Sequence, residues 1–99
     1  MTARTSPPSH GYCAVNALRA LETIACSPST IPQLAAHLQQ KPVTTRRLVY
    51  RLEYEGYLER TGRGLRAPYA LGTRALALGA LLVAAARLPQ GPWREQQRD

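Results

Sequence analysis

Residues 43–60 read Val43-Thr44-Thr45-Arg46-Arg47-Leu48-Val49-Tyr50-Arg51-Leu52-Glu53-Tyr54-Glu55-Gly56-Tyr57-Leu58-Glu59-Arg60. Thr45, Leu48, Val49 and Leu52 fall on one side of a helix, at spacings of three, one and three. Val43, Arg47, Tyr50 and Tyr54 project the other way, flanked by Arg46 and Arg51. The pattern predicts an amphipathic helix over 43–55 whose outer face is aromatic and basic. Gly56 ends it as a left-handed cap, a role that a glycine after any helix fills. Tyr57, Leu58 and Glu59 then read as a strand.

Downstream, Arg60-Thr61-Gly62-Arg63-Gly64-Leu65-Arg66-Ala67-Pro68 is a short loop with two glycines and three arginines. Tyr69, Ala70 and Leu71 return as a second strand, which makes a hairpin with a basic tip. Gly72 and Thr73 lead into a last helix over 74–87, carrying Leu76, Leu78, Leu81, Leu82 and Val83 among many alanines. Pro89, Gly91 and Pro92 stop it. Upstream, Gln39 to Pro42 form a tight turn after a helix over 32–39. Pro32 suits the first turn of that helix, and Leu34, Ala35 and Leu38 give it a buried face. Ile31 belongs to a very short strand or staples the start of the helix. Ser27, Pro28 and Ser29 separate it from a first helix over 12–25, where Val15, Leu18, Leu21 and Ile24 recur every three residues.

The expected fold is therefore mainly α with a small β-hairpin. It is a winged helix-turn-helix, with a three-helix core, a wing and a C-terminal helix. Residues 1–10 are expected to be a flexible arm, 11–73 the folded domain, 74–88 a helix for dimerisation and 89–99 a loose tail. No repeat or low-complexity segment interrupts this order.

The chain has 99 residues, enough for one domain with a modest core. Its net charge is +7, and twelve of its thirteen Lys and Arg residues are arginine. Arginine presents a planar fork that matches phosphates and guanine edges. The balance favours an anionic partner, nucleic acid before an acidic membrane surface. The two cysteines, Cys13 and Cys26, are too few for a disulfide framework or a metal site. They are expected to flank the first helix and pack as small hydrophobes. Residues 1–10 contain Pro7 and Pro8 and no apolar signal region, which points to a cytoplasmic protein. The apolar run from Ala75 to Ala86 is too short to span a bilayer.

These features suit double-stranded DNA. A helix fits the major groove, and a recognition helix meets base edges with its N-terminal half. Arg46 and Arg47 are the candidates for base or nearby phosphate contacts, with Lys41 at the turn and Thr44 at the free N–H groups of the first turn. Thr45 points inward. Tyr50 and Arg51 are candidates for the groove wall. Arg60, Arg63 and Arg66 of the loop are placed to reach a minor groove or its phosphates. Glu53, Glu55 and Glu59 gather at the far end of the helix and the following strand, so positive charge concentrates at the turn, the helix start and the loop. Taken alone, each arginine is an ordinary solvated side chain; the inference rests on their coincidence.

The chain resembles the N-terminal DNA-binding domain of the IclR (isocitrate lyase regulator) transcription factors, and more distantly MarR- and Rrf2-type winged helices. Gln33-Leu34-Ala35-Ala36-His37-Leu38 is similar to that family's second helix, and residues 47–60 to its third helix and first wing strand. Tyr69-Ala70-Leu71-Gly72-Thr73-Arg74-Ala75-Leu76-Ala77-Leu78-Gly79 is the most specific part: tyrosine, any residue, leucine and glycine close the wing before a helix with a leucine-glycine pair. The resemblance runs from about residue 14 to 79. It implies that Thr44, Arg46 and Arg47 face DNA and that the loop around Arg63 is the wing. The family usually places glycine and leucine before the proline of the turn; here Gln39, Gln40 and Lys41 precede Pro42, which predicts a differently shaped turn. The family's large ligand-sensing domain has no counterpart in these residues, so no small-molecule effector is implied.

Leu78, Leu81 and Leu82, with Trp93, are the candidate homodimer interface, because the last helix is apolar on more than one face. An enzyme is not expected: His10 and His37 have no partner at a catalytic spacing, and Gly62 and Gly64 lack the lysine and helix of a nucleotide loop. No cofactor or metal is implied. Two rivals to a repressor-like regulator remain: a winged-helix subunit that binds protein, and a phage, plasmid or chromosome-maintenance factor that binds DNA.

Overall fold

The computed structural model describes residues 9–64 and 66–87, with side chains from residue 13 onward. The arm up to residue 8, Leu65, and the tail with Trp93 lie outside the described residues.

The element order is α1 (Ser9–Cys26), α2 (Ile31–Leu38), α3 (Pro42–Tyr54), β1 (Leu58–Arg60), β2 (Tyr69–Leu71) and α4 (Thr73–Ala86). This is a winged helix-turn-helix, mainly helical with one antiparallel hairpin. The first helix begins at Ser9, so Ser9 and His10 of the expected arm are helical.

The core gathers Ala20 and Ile24 of α1, Ile31, Leu34 and Leu38 of α2, Val49 and Leu52 of α3, Leu58 of β1 and Tyr69 of β2. The inward set expected for α3 is observed: Thr45, Val49 and Leu52 are buried, and Leu48 packs partly against the core. The apolar stripe expected on α1 is observed only in its second half, where Ile24 is buried and Leu21 packs partly against the core. Val15 is 50% and Leu18 59% exposed, while Asn16, Ala20 and Ile24 are buried. A step of three residues turns back about 60° around a helix of 3.6 residues per turn, so Val15 and Ile24 stand on opposite sides. The four-residue series 16, 20, 24 drifts less and stays on the core. Cys13 and Cys26 are likewise exposed free thiols and not packed small hydrophobes.

Thr30 caps α2. Its side chain accepts from the Gln33 N–H, and the Gln33 side chain accepts from the Thr30 N–H, a reciprocal capping box. Ile31 is thus the first helical residue, and the short strand contact lies at Ser29. Ser29 exchanges both backbone hydrogen bonds with Tyr69, at 3.1 and 2.8 Å, and so adds a third edge to the wing. The turn after α2 keeps the left-handed residue that glycine adopts most cheaply, but Gln39 takes it, with φ 57°. Gly56 (φ +90°) ends α3 as expected.

The hairpin pairs Leu58 with Leu71, Glu59 with Ala70 and Arg60 with Tyr69. Gly72 follows it in close contact with the α3–β1 turn: a Cβ there would run into the Gly56 carbonyl. The Gly72 N–H bonds the Tyr57 carbonyl (2.9 Å) and the Arg74 N–H bonds the Gly56 carbonyl (3.0 Å), which fixes the start of α4. Beyond that start, α4 has no buried residue. No helix among the described residues is long and apolar enough to cross a membrane.

Candidate nucleic-acid interface

The α2–α3 turn, the start of α3 and the wing carry the exposed basic residues Lys41, Arg46, Arg47, Arg63 and Arg66. Lys41 is the N-cap residue of α3 and Pro42 follows it. No side chain caps this end, so the first-turn N–H groups beside the exposed Thr44 face solvent. Thr45 is fully buried, and its hydroxyl lies 3.0 Å from the Gln40 amide oxygen and 3.1 Å from the Lys41 carbonyl. That polar anchor holds the turn against α3 where an apolar residue would leave Gln40 free.

Arg46 and Arg47 are exposed, and neither forms an ion pair among the described residues. Lys41, Arg63 and Arg66 are in the same condition. The basic residues that are paired lie elsewhere. Arg51 meets Glu55 at 3.5 Å, Arg60 meets Glu53 at 3.9 Å, and Arg74 meets Glu55 at 3.3 Å. The carboxylates therefore offset charge at the C-terminal end of α3 and leave the helix start and loop uncompensated.

Two concave regions bring these side chains together. Arg66 of the wing joins Arg46 and Tyr50 of α3 around a cleft of about 440 Å³, walled by Ile31, Pro32 and Pro42. Arg47, Tyr50, Arg51 and Tyr54 line an open furrow along the outer face of α3. Tyr50 belongs to both. Tyr54, 83% exposed, lines this furrow and is absent from the candidate set. Its signal was present in the sequence, in the 47, 50, 51, 54 spacing of one helical face.

Arg60 stands apart from the others. Its Nε donates to the Tyr69 hydroxyl (3.1 Å), and its guanidinium lies over the Tyr69 ring, 5.5 Å from the centroid. The hydrogen bond to Tyr69 raises the Arg60 pKa above its ordinary value, helped by the phenol's and Glu53's charge. Burial pushes the Tyr69 phenol up, while the Arg60 hydrogen bond pulls it down. Arg60 thus braces the base of the wing, while Arg63 and Arg66 occupy the exposed loop.

The expected dimer residues Leu78, Leu81 and Leu82 are 37%, 66% and 61% exposed. Leu78 and Leu82 also line a groove between α4 and α1, opposite Leu18 and Leu21. No group of three or more His, Cys, Asp or Glu side chains comes together among the described residues.

Comparison with known proteins agrees with this geometry. The IclR helix-turn-helix domain family matches residues 14–62. No curated protein matches the sequence significantly. Among solved structures, the multiple antibiotic-resistance repressor MarR from Listeria monocytogenes superposes with a TM-score of 0.55 at 16% identity, over 91% of this chain and 77% of that one. Reduced HlyU from Vibrio cholerae gives 0.52 at 17% identity, over 81% and 95%. MepR, a transcription regulator of the Staphylococcus aureus multidrug efflux pump MepA, gives 0.51 at 17% identity, over 84% and 70%. At these identities the structures show a shared fold.

Proposed function

This chain carries an IclR-family helix-turn-helix domain at residues 14–62, and from that premise we propose that it is a sequence-specific double-stranded-DNA-binding transcriptional regulator. The observation that carries the reading is a group of cations with no acidic partner among the described residues, Lys41, Arg46 and Arg47 at the start of α3 and Arg63 and Arg66 on the wing, with Arg46 and Arg66 lining one cleft. In this reading α3 enters the major groove. Arg46 and Arg47 reach base edges or adjacent phosphates, and Thr44 with its free neighbouring N–H groups takes a phosphate. Tyr50 and Arg51 lie along the groove wall. Arg63 and Arg66 reach the flanking minor groove or its phosphates. The protein is then a cytoplasmic binding protein and not an enzyme. Two of the structural neighbours, a repressor and a transcription regulator by name, illustrate this use of the fold.

The same reading makes the protein a homodimer. Leu76, Leu81, Leu82 and Val83 of α4 are all more than half exposed, and a second copy would cover them. Two copies related by a twofold axis read two half-sites about one helical turn apart. Selection from a randomised duplex pool, followed by sequencing of the retained fragments, tests both parts. A twofold-symmetric motif is the expected product. Absence of retention even at low salt would remove DNA from the account and leave a protein-binding winged helix.

A further inference from the structure

One side of α4 faces a groove whose other wall is α1. Leu18, Leu21 and Glu22 of α1 and Leu78, Gly79 and Leu82 of α4 line a space of about 350 Å³. A cavity of about 150 Å³ already takes a benzene ring, so a bicyclic aromatic side chain fits here. Gly79 opens the α4 wall, since a Cβ there would meet nothing within 4 Å. A glycine in the middle of a helix is unfavourable relative to alanine, and here it leaves room for a ring to approach the backbone. No residue of α4 is buried among the described residues. Glu22 is the one charged side chain among the lining residues described; it is exposed and forms no ion pair among the described residues.

Residues 88–99 continue the chain beyond the described residues, which end at Arg87 just after α4. They include Trp93, the chain's one tryptophan, and Arg94 beside it. We propose that the groove is the docking site of this C-terminal segment of the same chain, with the Trp93 indole seated between α1 and α4 and Arg94 paired with Glu22. The reach is sufficient. Gly79 lies about 10 Å back along the helix from Ala86, at 1.5 Å per residue, and residues 87–93 span up to about 23 Å when extended. Pro89 and Pro92 oppose a continued helix, and Gly91 suits a reversal of the chain. The chemistry is complementary as well. The indole buries its rings against leucines from both walls, while the open rim leaves its N–H to water. Arg94 supplies the cation that Glu22 lacks. The docked segment ties α4 to α1. It leaves Leu76, Leu81 and Val83, which are outside the groove lining and more than half exposed, for a second copy. The docking stands whether or not the protein binds DNA.

Because Trp93 is the one tryptophan, intrinsic fluorescence of the full chain reports its surroundings alone. Its emission should be blue-shifted from that of the chain unfolded in guanidinium. The shift should persist on dilution to concentrations at which sedimentation shows a monomer. Leu18→Lys places a charge in the α1 wall at a side chain 59% exposed, so the protein stays folded by circular dichroism, and its emission should move to the unfolded position. Leu76→Lys, outside the groove, should leave the emission in place. A nitroxide on Cys26, the residue after Ala25 of the groove lining, should quench Trp93 in Cys13→Ser protein more strongly than a nitroxide on Cys13 does in Cys26→Ser protein. That comparison leaves the groove itself unaltered. Trp93→Ala should speed amide hydrogen exchange in α4 by about tenfold or more, as expected for loss of one large apolar side chain. Solvent-like emission in the wild type, a blue shift that survives Leu18→Lys, or equal quenching from the two cysteines would overturn the groove as the site. Emission that moves to the red on dilution would seat Trp93 in a second copy and overturn docking within one chain. Unchanged exchange in α4 would overturn the tie between the two helices.

Discussion

Tyr69 ties the wing to the core, to α3 and to the α1–α2 connection. Its backbone pairs with Ser29 on one side and lies opposite Arg60 on the other. Its ring is 2% exposed in the core, and its hydroxyl accepts from Arg60 and reaches Glu53 at 3.5 Å. Tyr69→Phe keeps the ring and removes the hydroxyl, so thermal or denaturant unfolding near neutral pH should show a loss of about 1 kcal/mol. The pH dependence carries a second signature. The folded protein raises the phenol's pKa above its ordinary 10.0, chiefly by burial. The folded state therefore holds this proton more tightly than the unfolded chain does. The associated stability is fully present below pH 10 and is lost as pH rises through the raised folded value. Tyr69→Phe should lack this part of the alkaline decline, and an identical decline in both proteins would contradict the assignment. The neighbouring Arg60 illustrates the limit of reading charge from a string of residues. Its place in the arginine-rich loop suggests a contact to a partner, yet the strand register sets it opposite Tyr69, where it serves the wing itself.

At the scale of elements, helix-turn-helix order was legible because each helix carries its own period and its own stop. The inward face of α3 was fixed by Thr45, Leu48, Val49 and Leu52, and its outward basic face followed from the same geometry. The face of α1 was not legible from its hydrophobic residues. Asn16 and the small Ala20 form the buried line there, whereas Val15 and Leu18 stay exposed, so size and polarity both mislead. The Ser29–Tyr69 bridge was hidden for a different reason, since a single residue pair joined across the fold leaves no local pattern. The cap of α2 was present in the sequence as Thr30 and Gln33, three residues apart, and a search for capping boxes would have found it. Gly72 shows what the closing tyrosine-x-leucine-glycine pattern demands physically. Its lack of a side chain lets the second wing strand pass against the Gly56 carbonyl and start α4. Gly72→Ala should cost about 1–3 kcal/mol through overpacking against backbone, measurable by chemical denaturation. A neutral substitution would mean that this contact does not position α4.

For the whole molecule, charge and apolar surface are separated. Five cations without an acidic partner among the described residues, Lys41, Arg46, Arg47, Arg63 and Arg66, lie along the turn, the start of α3 and the wing, while α4 displays leucines that its own domain does not bury. A dimer held through α4 would place two such basic surfaces on one duplex. Leu81→Glu with Leu82→Glu introduces charge at two of the most exposed of those leucines. Sedimentation should then show a folded monomer in place of a dimer, and an unchanged dimer would move the interface elsewhere. The most direct test of the central claim is an anisotropy titration of labelled duplex, carrying the selected motif, at two salt concentrations with wild type and Arg46→Ala/Arg47→Ala. The account predicts that wild-type affinity falls steeply with salt. It predicts that the double variant, still folded by circular dichroism, loses most of its affinity and has a log–log salt slope shallower by about 2. A folded double variant that binds with wild-type affinity and salt slope would contradict the assignment of α3 as the DNA-reading helix.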